Sequence, residues 1–308
     1  MTSKTHKELT IDFMGKTRIA VTLTLIVTLA AVGMLAVKGL NFGIDFTGGT
    51  LVELGYEEPA DLGTVRAALK GSEFAGATVQ RFGADNDVLV RLPPTGEAAA
   101  AGLGDRILEV LPGSQMRRIE FVGPQVGDEL VEDGILALLY ALGGILVYVM
   151  LRFTWKFSLG AIAATVHDVV VVLGVFAFTR MEFDLTVLAA VLAVLGYSLN
   201  DTIVVFDRIR ENFRRYRKDD PVIIINRSLN QTLARTLVTS GTTLAVVFAL
   251  FLFGGELIHG FATALMVGIL VGTYSSIYVA SAMLPWLKVS KIDLMPVQKE
   301  GVAVDEKP

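Results

Sequence analysis

Residues 157–179, FSLGAIAATVHDVVVVLGVFAFT, are mostly apolar and carry two ionisable residues side by side, His167 and Asp168. Asp168 lies eleven residues past Phe157, about 16 Å along a helix axis at 1.5 Å per residue. That is close to half of a ~30 Å hydrocarbon core. A second apolar run ends in GYSLNDTIVVFDRIREN (196–212), which places Asn200 and Asp201 inside it and Asp207, Arg208, Arg210 and Glu211 at its edge. Ionisable groups inside spanning helices are costly and mark ion paths or relays. Two carboxylates on neighbouring helices can load and release a proton, or a small cation with help from Asn200. His167 can relay protons or bond a neighbouring hydroxyl. Asp201 and Arg208 are two turns apart and share a helix face. The competing reading is a buried polar lock between helices for the aspartates, and a solvated cap for the charges at 207–211.

Other chemistry is excluded by residue type. The 308 residues contain no cysteine, so thiolate metal sites, disulfides and cysteine nucleophiles are absent. The three histidines, His6, His167 and His259, are far apart and show no metal-ligand spacing. No cofactor is expected. The net charge of -4 points to no nucleic-acid partner. FGIDFTGGT (42–50) comes near a phosphate-binding P-loop, but Gly49 stands where the lysine is needed. Its glycines, Gly43, Gly48 and Gly49, then read as bends or close approaches at a joint. Asp45 either caps the turn or pairs across to a partner.

The elements that position these residues follow from hydropathy. With 53% hydrophobic residues the chain is too apolar for an ordinary soluble domain. Six spans are expected: Ile19–Val37, Gly134–Leu151, Phe157–Thr179, Leu185–Phe206, Thr236–Phe253 and Gly260–Leu284, the last ended by Pro285. The first is a retained anchor, since no small-residue cleavage site follows it. Lysines and arginines concentrate in the N-terminal tail, at Arg152 and Lys156, between Arg208 and Arg235, and in the C-terminal tail. Arg180 is alone in the opposite short loops. The positive-inside rule puts both termini in the cytoplasm. The chain divides into a cytoplasmic tail 1–18, helix 19–37, an exported domain 38–132, a five-helix remainder 133–287 with a basic loop at 208–235, and a cytoplasmic tail 288–308.

Within 38–132, strands are expected at Thr50–Tyr56, Ala77–Phe82, Val88–Leu92 and Gln115–Val122. Helices are expected at Asp61–Lys70, N-capped by Asp61, and at Gly96–Leu111, with turn residues Gly83, Asp85, Asn86 and Asp87. The order β-α-β-β-α-β is that of a ferredoxin-like α+β domain. The fold class is therefore a polytopic α-helical membrane protein with one such periplasmic domain between helices one and two. Gly268 and Gly272, in series with Ala264, Ser276 and Ala280, allow close helix packing, as Gly143-Gly144 and Gly196 can.

FGIDFTGGT after the first span, FVGPQVGDEL (121–130) before the second, HDV in the third and GYSLNDTIVVFDRIREN in the fourth together resemble the SecF family of the bacterial Sec export system. LNQTLARTLVTSGTT (229–243) and YSSIYVAS (274–281) fit as well. The resemblance covers essentially the whole chain. It implies membership of the resistance–nodulation–division superfamily and a six-span half-unit completed by SecD. It also implies partnership with the SecYEG channel, YajC and the translocating preprotein in the inner membrane. It implies use of a proton or sodium gradient for late export, without enzymatic activity. The family's HD aspartate falls on Asp168 and its ND pair on Asn200 and Asp201.

Two other functions remain to be weighed. A drug-exporter half-unit of the same superfamily needs larger exported domains. An intramembrane aspartyl protease needs touching carboxyls. Helices that start level would separate Asp168 and Asp201 by roughly 9 Å.

Overall fold

The computed structural model describes residues 11–94, 102–216 and 218–290. The ends of both expected tails and the start of the expected Gly96–Leu111 helix lie outside them. The chain runs α1 (Thr17–Lys38), β1 (Asn41–Phe42), α2 (Ile44–Thr47), β2 (Gly49–Tyr56), α3 (Leu62–Lys70), β3 (Thr78–Phe82), β4 (Ala84–Leu92), α4 (Leu103–Val110) and β5 (Ser114–Val122). It continues with α5 (Pro124–Arg152), α6 (Trp155–Thr179), β6 (Glu182–Phe183), α7 (Leu185–Arg215), α8 (Pro221–Phe253), α9 (His259–Ser275) and α10 (Ser281–Trp286). A π turn at Ser276–Ala280 joins the last two.

Among the described residues six helices are long and apolar enough to cross a membrane. Several outlast their apolar runs. α5 starts at Pro124, ten residues before the run at Gly134, because proline fits the first helical position, where no N–H is needed. The basic stretch 208–235 is not a loop. α7 continues to Arg215 and α8 begins at Pro221 behind the N-cap Asp220, leaving a short turn between. Pro285 does not end the last helix; it sits in its final turns.

α6 and α7 form the centre of the bundle, whereas α1 and α5 expose much of their apolar surface, including Ile19, Leu29, Leu139 and Leu151. A lipid surround accepts that exposure. Small residues set the closest approaches. A Cβ on Gly268 would lie 2.1 Å from Val194, and one on Gly174 would lie 2.4 Å from Ala31. Gly143, Gly144 and Gly196 have open space beside them, so they pack no helix of this chain closely. The other end of the bundle holds a clasp. Asn226 and Asn230, one turn apart on α8, grip the backbone of Ile11–Met14: Asn230 Oδ1 accepts from the Ile11 N–H at 2.7 Å, and Asn226 Oδ1 from the Phe13 N–H at 2.8 Å.

The α+β module has the antiparallel strand order β3-β4-β2-β5. Asp61 caps α3, accepting from the N–H groups of Gly63 and Thr64. Leu54 and Ile107 are fully buried, each worth about 1.5–3 kcal/mol. The β3–β4 turn is tighter than expected. Gly83, at φ 69°, stands alone between the strands, and Asp85, Asn86 and Asp87 belong to β4. Strand geometry gives each a partner: Arg81, the Tyr56 carbonyl and Arg117.

The module is fastened to the bundle through FGIDFTGGT. β1 pairs with β6 in parallel, and the Gly43 N–H donates to the Phe183 carbonyl at 2.9 Å. Phe46 stacks on Phe183, and Phe42 and Phe176 meet that pair edge-on. Gly48 takes φ 67° with its Cβ position 2.9 Å from Pro124 Cα, and Gly49 takes φ 129° with its own 2.5 Å from the Leu92 carbonyl. Side chains are barred here by conformation and space alike. Asp45 accepts from the Leu185 N–H at 2.9 Å, so it caps α7 rather than its own turn. Asp184 caps the same helix through the Val187 N–H. Arg91 of β4 pairs with Glu182 and donates to the Phe42 carbonyl at 3.1 Å.

Burial pushes the Glu182 carboxyl above the usual range; Arg91 opposes the shift, and Asp184 and Asp45 add to it. A carboxyl whose pKa is higher docked than free binds its proton more tightly when docked. Lowering the pH through that interval therefore favours the docked joint. Protection of the Gly43 amide, corrected for intrinsic exchange, is expected to rise as the pH falls toward the ordinary glutamate range. Hydrogen exchange in nanodiscs checks this, and Glu182→Gln should flatten the dependence.

Candidate functional site

Asp168, on α6, is fully buried. Its Oδ2 accepts from Ser198 Oγ of α7 at 2.5 Å and from Ser275 Oγ of α9 at 2.8 Å. His167 Nδ1 lies 3.0 Å from Oδ1. Three helices thus converge on one carboxyl. The spacing is what close packing allows: Gly272 lies against Ser198, where a Cβ would come within 3.1 Å. Asp201, on α7, is 7% exposed. It accepts from Thr236 Oγ1 of α8 at 2.7 Å and from Ser276 Oγ of the π turn at 2.6 Å. The positive charge of Arg235, next to Thr236, acts on it as well.

Removing a carboxylate from water costs several kcal/mol even after relaxation. Hydroxyls meet that cost in a particular way. Each can donate to a charged carboxylate or accept from a protonated one, so either form finds a partner once the hydroxyl hydrogen bonds rearrange. A lysine or arginine in ion-pair contact would hold the charged form, and among the described residues neither aspartate has one. Ser198 is three residues from Asp201 on α7, about 4.5 Å along the axis. The carboxyls are therefore nearer in depth than the ~9 Å reckoning, which took both helices as level and untilted. They still share no direct hydrogen bond among the described residues, so the geometry is not that of a protease dyad.

His167 is 7% exposed and lines a groove of about 240 Å³ between α1, α6 and α9, with Leu23, Val27, Leu270 and Tyr274. Asn200 is not brought to either carboxyl. It is exposed on the outer face of α7, with no side-chain hydrogen bond among the described residues. The charges at 207–211 form separate contacts at the far end of the bundle. Asp207 receives Arg152 at 2.9 Å on both oxygens, Arg208 pairs with Glu211 at 2.7 Å, and Arg210 donates to the Arg152 carbonyl at 3.1 Å. The two ion pairs are between 38% and 59% exposed, which limits each to about 0–1 kcal/mol.

Residues 105–290 match the family model for the protein export membrane protein SecD/SecF, C-terminal. The chain belongs to the SecD/SecF family. Residues 33–60 also match the SecD/SecF GG motif, which includes the fastening segment. The protein translocase subunit SecF of Vibrio alginolyticus is 54% identical, with 98% of each chain covered. That of Pseudomonas aeruginosa is 53% identical over 97% of this chain and 98% of its own. Among solved structures, SecDF from Thermus thermophilus, a translocon-associated membrane protein, superposes with a TM-score of 0.83 at 41% identity. The match covers 90% of this chain and 38% of that one, so the SecF-family chain spans well under half of SecDF.

Sequence reasoning gave Ser198, Thr236, Ser275, Ser276 and Arg235 no place beside the carboxyls, reading Ser276 only as a small packing residue and Arg235 only as a topological charge. The signal was available: all lie within stretches that carry the family resemblance, and hydroxyls in a spanning helix seek partners. Ser198→Ala removes one of two hydroxyl donors to a buried oxygen. It is expected to lower stability by about 1–3 kcal/mol, measurable by thermal unfolding of the purified protein in detergent.

Proposed function

We propose that this SecF-family chain is the smaller half of a gradient-driven export accessory, in which proton or sodium loading at Asp168 and Asp201 powers a late step of preprotein translocation. The observation that carries the reading is a pair of buried carboxylates held by hydroxyls from neighbouring helices, with His167 beside Asp168 and no lysine or arginine in ion-pair contact with either among the described residues. Such a pair changes charge at small structural cost. One charge moved across 100 mV is worth about 2.3 kcal/mol, enough to bias a two-state helix arrangement.

The route to the module runs through the same helices. α6 carries Asp168 and leads into β6; α7 carries Asp201 and is capped by Asp45. A shift of either helix is delivered to β1, α2 and so to the sheet. In this reading the chain spans the inner membrane with both termini cytoplasmic, and the module is a periplasmic ferredoxin-like domain. Its sheet order and split βαβ connections support that assignment. The SecYEG channel, YajC and the preprotein are the further partners, and no step requires catalysis by this chain.

A SecD-type half lies against α7. Thr186, Ala189, Ala193, Gly196 and Asn200 recur at three- and four-residue intervals on its exposed side. This small-residue stripe ends in an amide that a lipid cannot satisfy.

Asp168→Asn is expected to abolish gradient-dependent stimulation of export in inverted vesicles while leaving membrane levels normal; wild-type stimulation refutes the reading. Ala193→Phe should lower recovery of a SecD-type partner in copurification by roughly tenfold, the effect of about 1.4 kcal/mol. Unchanged recovery places that partner elsewhere.

A further inference from the structure

The two carboxyls sit on different helices and do not touch, yet each draws a hydroxyl from one of two adjacent residues. Ser275 serves Asp168 and Ser276 serves Asp201. Consecutive helical residues point about 100° apart, which lets one peptide unit face α6 on one side and the α7–α8 seam on the other. Each hydroxyl also has a second acceptor one turn back. Ser275 Oγ lies 3.1 Å from the Gly272 carbonyl, and Ser276 Oγ lies 3.0 Å from the Thr273 carbonyl. A serine has a single hydroxyl proton. It therefore serves either its aspartate or its own helix.

The backbone around the pair is unusual as well. Ser276 opens the π turn, an element that appears mostly at functional sites. Its carbonyl accepts both the N–H and the hydroxyl of Ser281, the latter at 2.8 Å. At the end of the turn the Ala280 carbonyl abuts Gly160 of α6, where a Cβ would lie 2.9 Å away. The helix that carries Asp168 thus touches this segment at both ends.

We infer that the Ser275–Ser276 pair links the two carboxyls, so that protonation of one is felt at the other through a single peptide unit. This rests on the ion-loading reading above and deepens it. When Asp201 is protonated it no longer requires the Ser276 proton, and that hydroxyl turns to the Thr273 carbonyl. The neighbouring Ser275 moves with the same backbone and changes its hold on Asp168. Ser275 and Ser276 act as positioning residues; His167, 3.0 Å from Asp168 Oδ1, and Arg235, beside Thr236 on α8, are the other titratable or charged groups that face the two carboxyls.

The test reads each carboxyl separately. The full chain, in membranes with its natural partners and sodium-free buffer, is labelled with a hydrophobic carbodiimide across a pH series. Peptide mass spectrometry then gives a labelling midpoint for Asp168 and another for Asp201. Ser276→Ala is expected to move the midpoint of Asp168, which it does not touch, by about one pH unit, the scale at which sites stop titrating independently. Ser275→Ala should do the same to Asp201, and Ser276→Thr should restore the wild-type midpoints. A Ser276→Ala chain in which Asp201 shifts and Asp168 stays at its wild-type midpoint overturns the link while leaving the ion-loading reading intact. Labelling of neither aspartate at any pH overturns both.

Discussion

A carboxyl in the middle of a bilayer must be satisfied by the protein, because neither lipid nor water reaches it. That constraint organises this bundle. Asp168 and Asp201 sit on its two most buried helices, and the donors they need come from α7, α8 and the α9–π segment. Bringing those donors within 2.5–2.8 Å requires helix axes to approach closely, which explains where the small residues fall. Gly272 admits Ser198, Gly268 admits Val194, and Gly160 admits the Ala280 carbonyl. The glycines follow the aspartates.

Hydroxyl satisfaction also separates this centre from an ion pair. A buried guanidinium would lock one charge state, whereas serines and threonines serve both. The hydroxyls can thereby partner either charge state, while the module end is tied by many contacts at once. There the β1–β6 pair, the phenylalanine cluster, the Arg91–Glu182 pair and two N-caps on α7 converge within a few residues. The GG segment is therefore held firmly: Gly48 and Gly49 are each fixed by neighbouring backbone.

Much of this was legible in the sequence because the bilayer enforces a simple code. Apolar length located six helices, and the two aspartates within such runs are the carboxyls that the structure buries among hydroxyls. The order of strands and helices in the module followed from period-two and period-3.6 patterns. Helix ends were less legible. Hydropathy tracks lipid contact, while α5, α7 and α8 continue beyond it on the strength of a proline start, an aspartate cap and packing between extensions. Asn200 was misplaced for a related reason: adjacency to Asp201 in sequence means a 100° turn in a helix, enough to put one side chain inside and the other out. The serines escaped notice because small hydroxyl residues are ordinary in spanning helices until an acid is placed opposite them.

The asparagine clasp on α8 bears on how the protein is made. Asn230 binds Ile11 across 219 positions of chain, and Asn226 binds Phe13 across 213. Ribosomes release the amino end first, so α1 is in the bilayer long before its tether exists. Until the fifth spanning helix is synthesised and inserted, the segment ahead of α1 has no asparagines to hold it. The order of biosynthesis thereby leaves that leading segment untied after α1 can already pack on α6, and fastens it late.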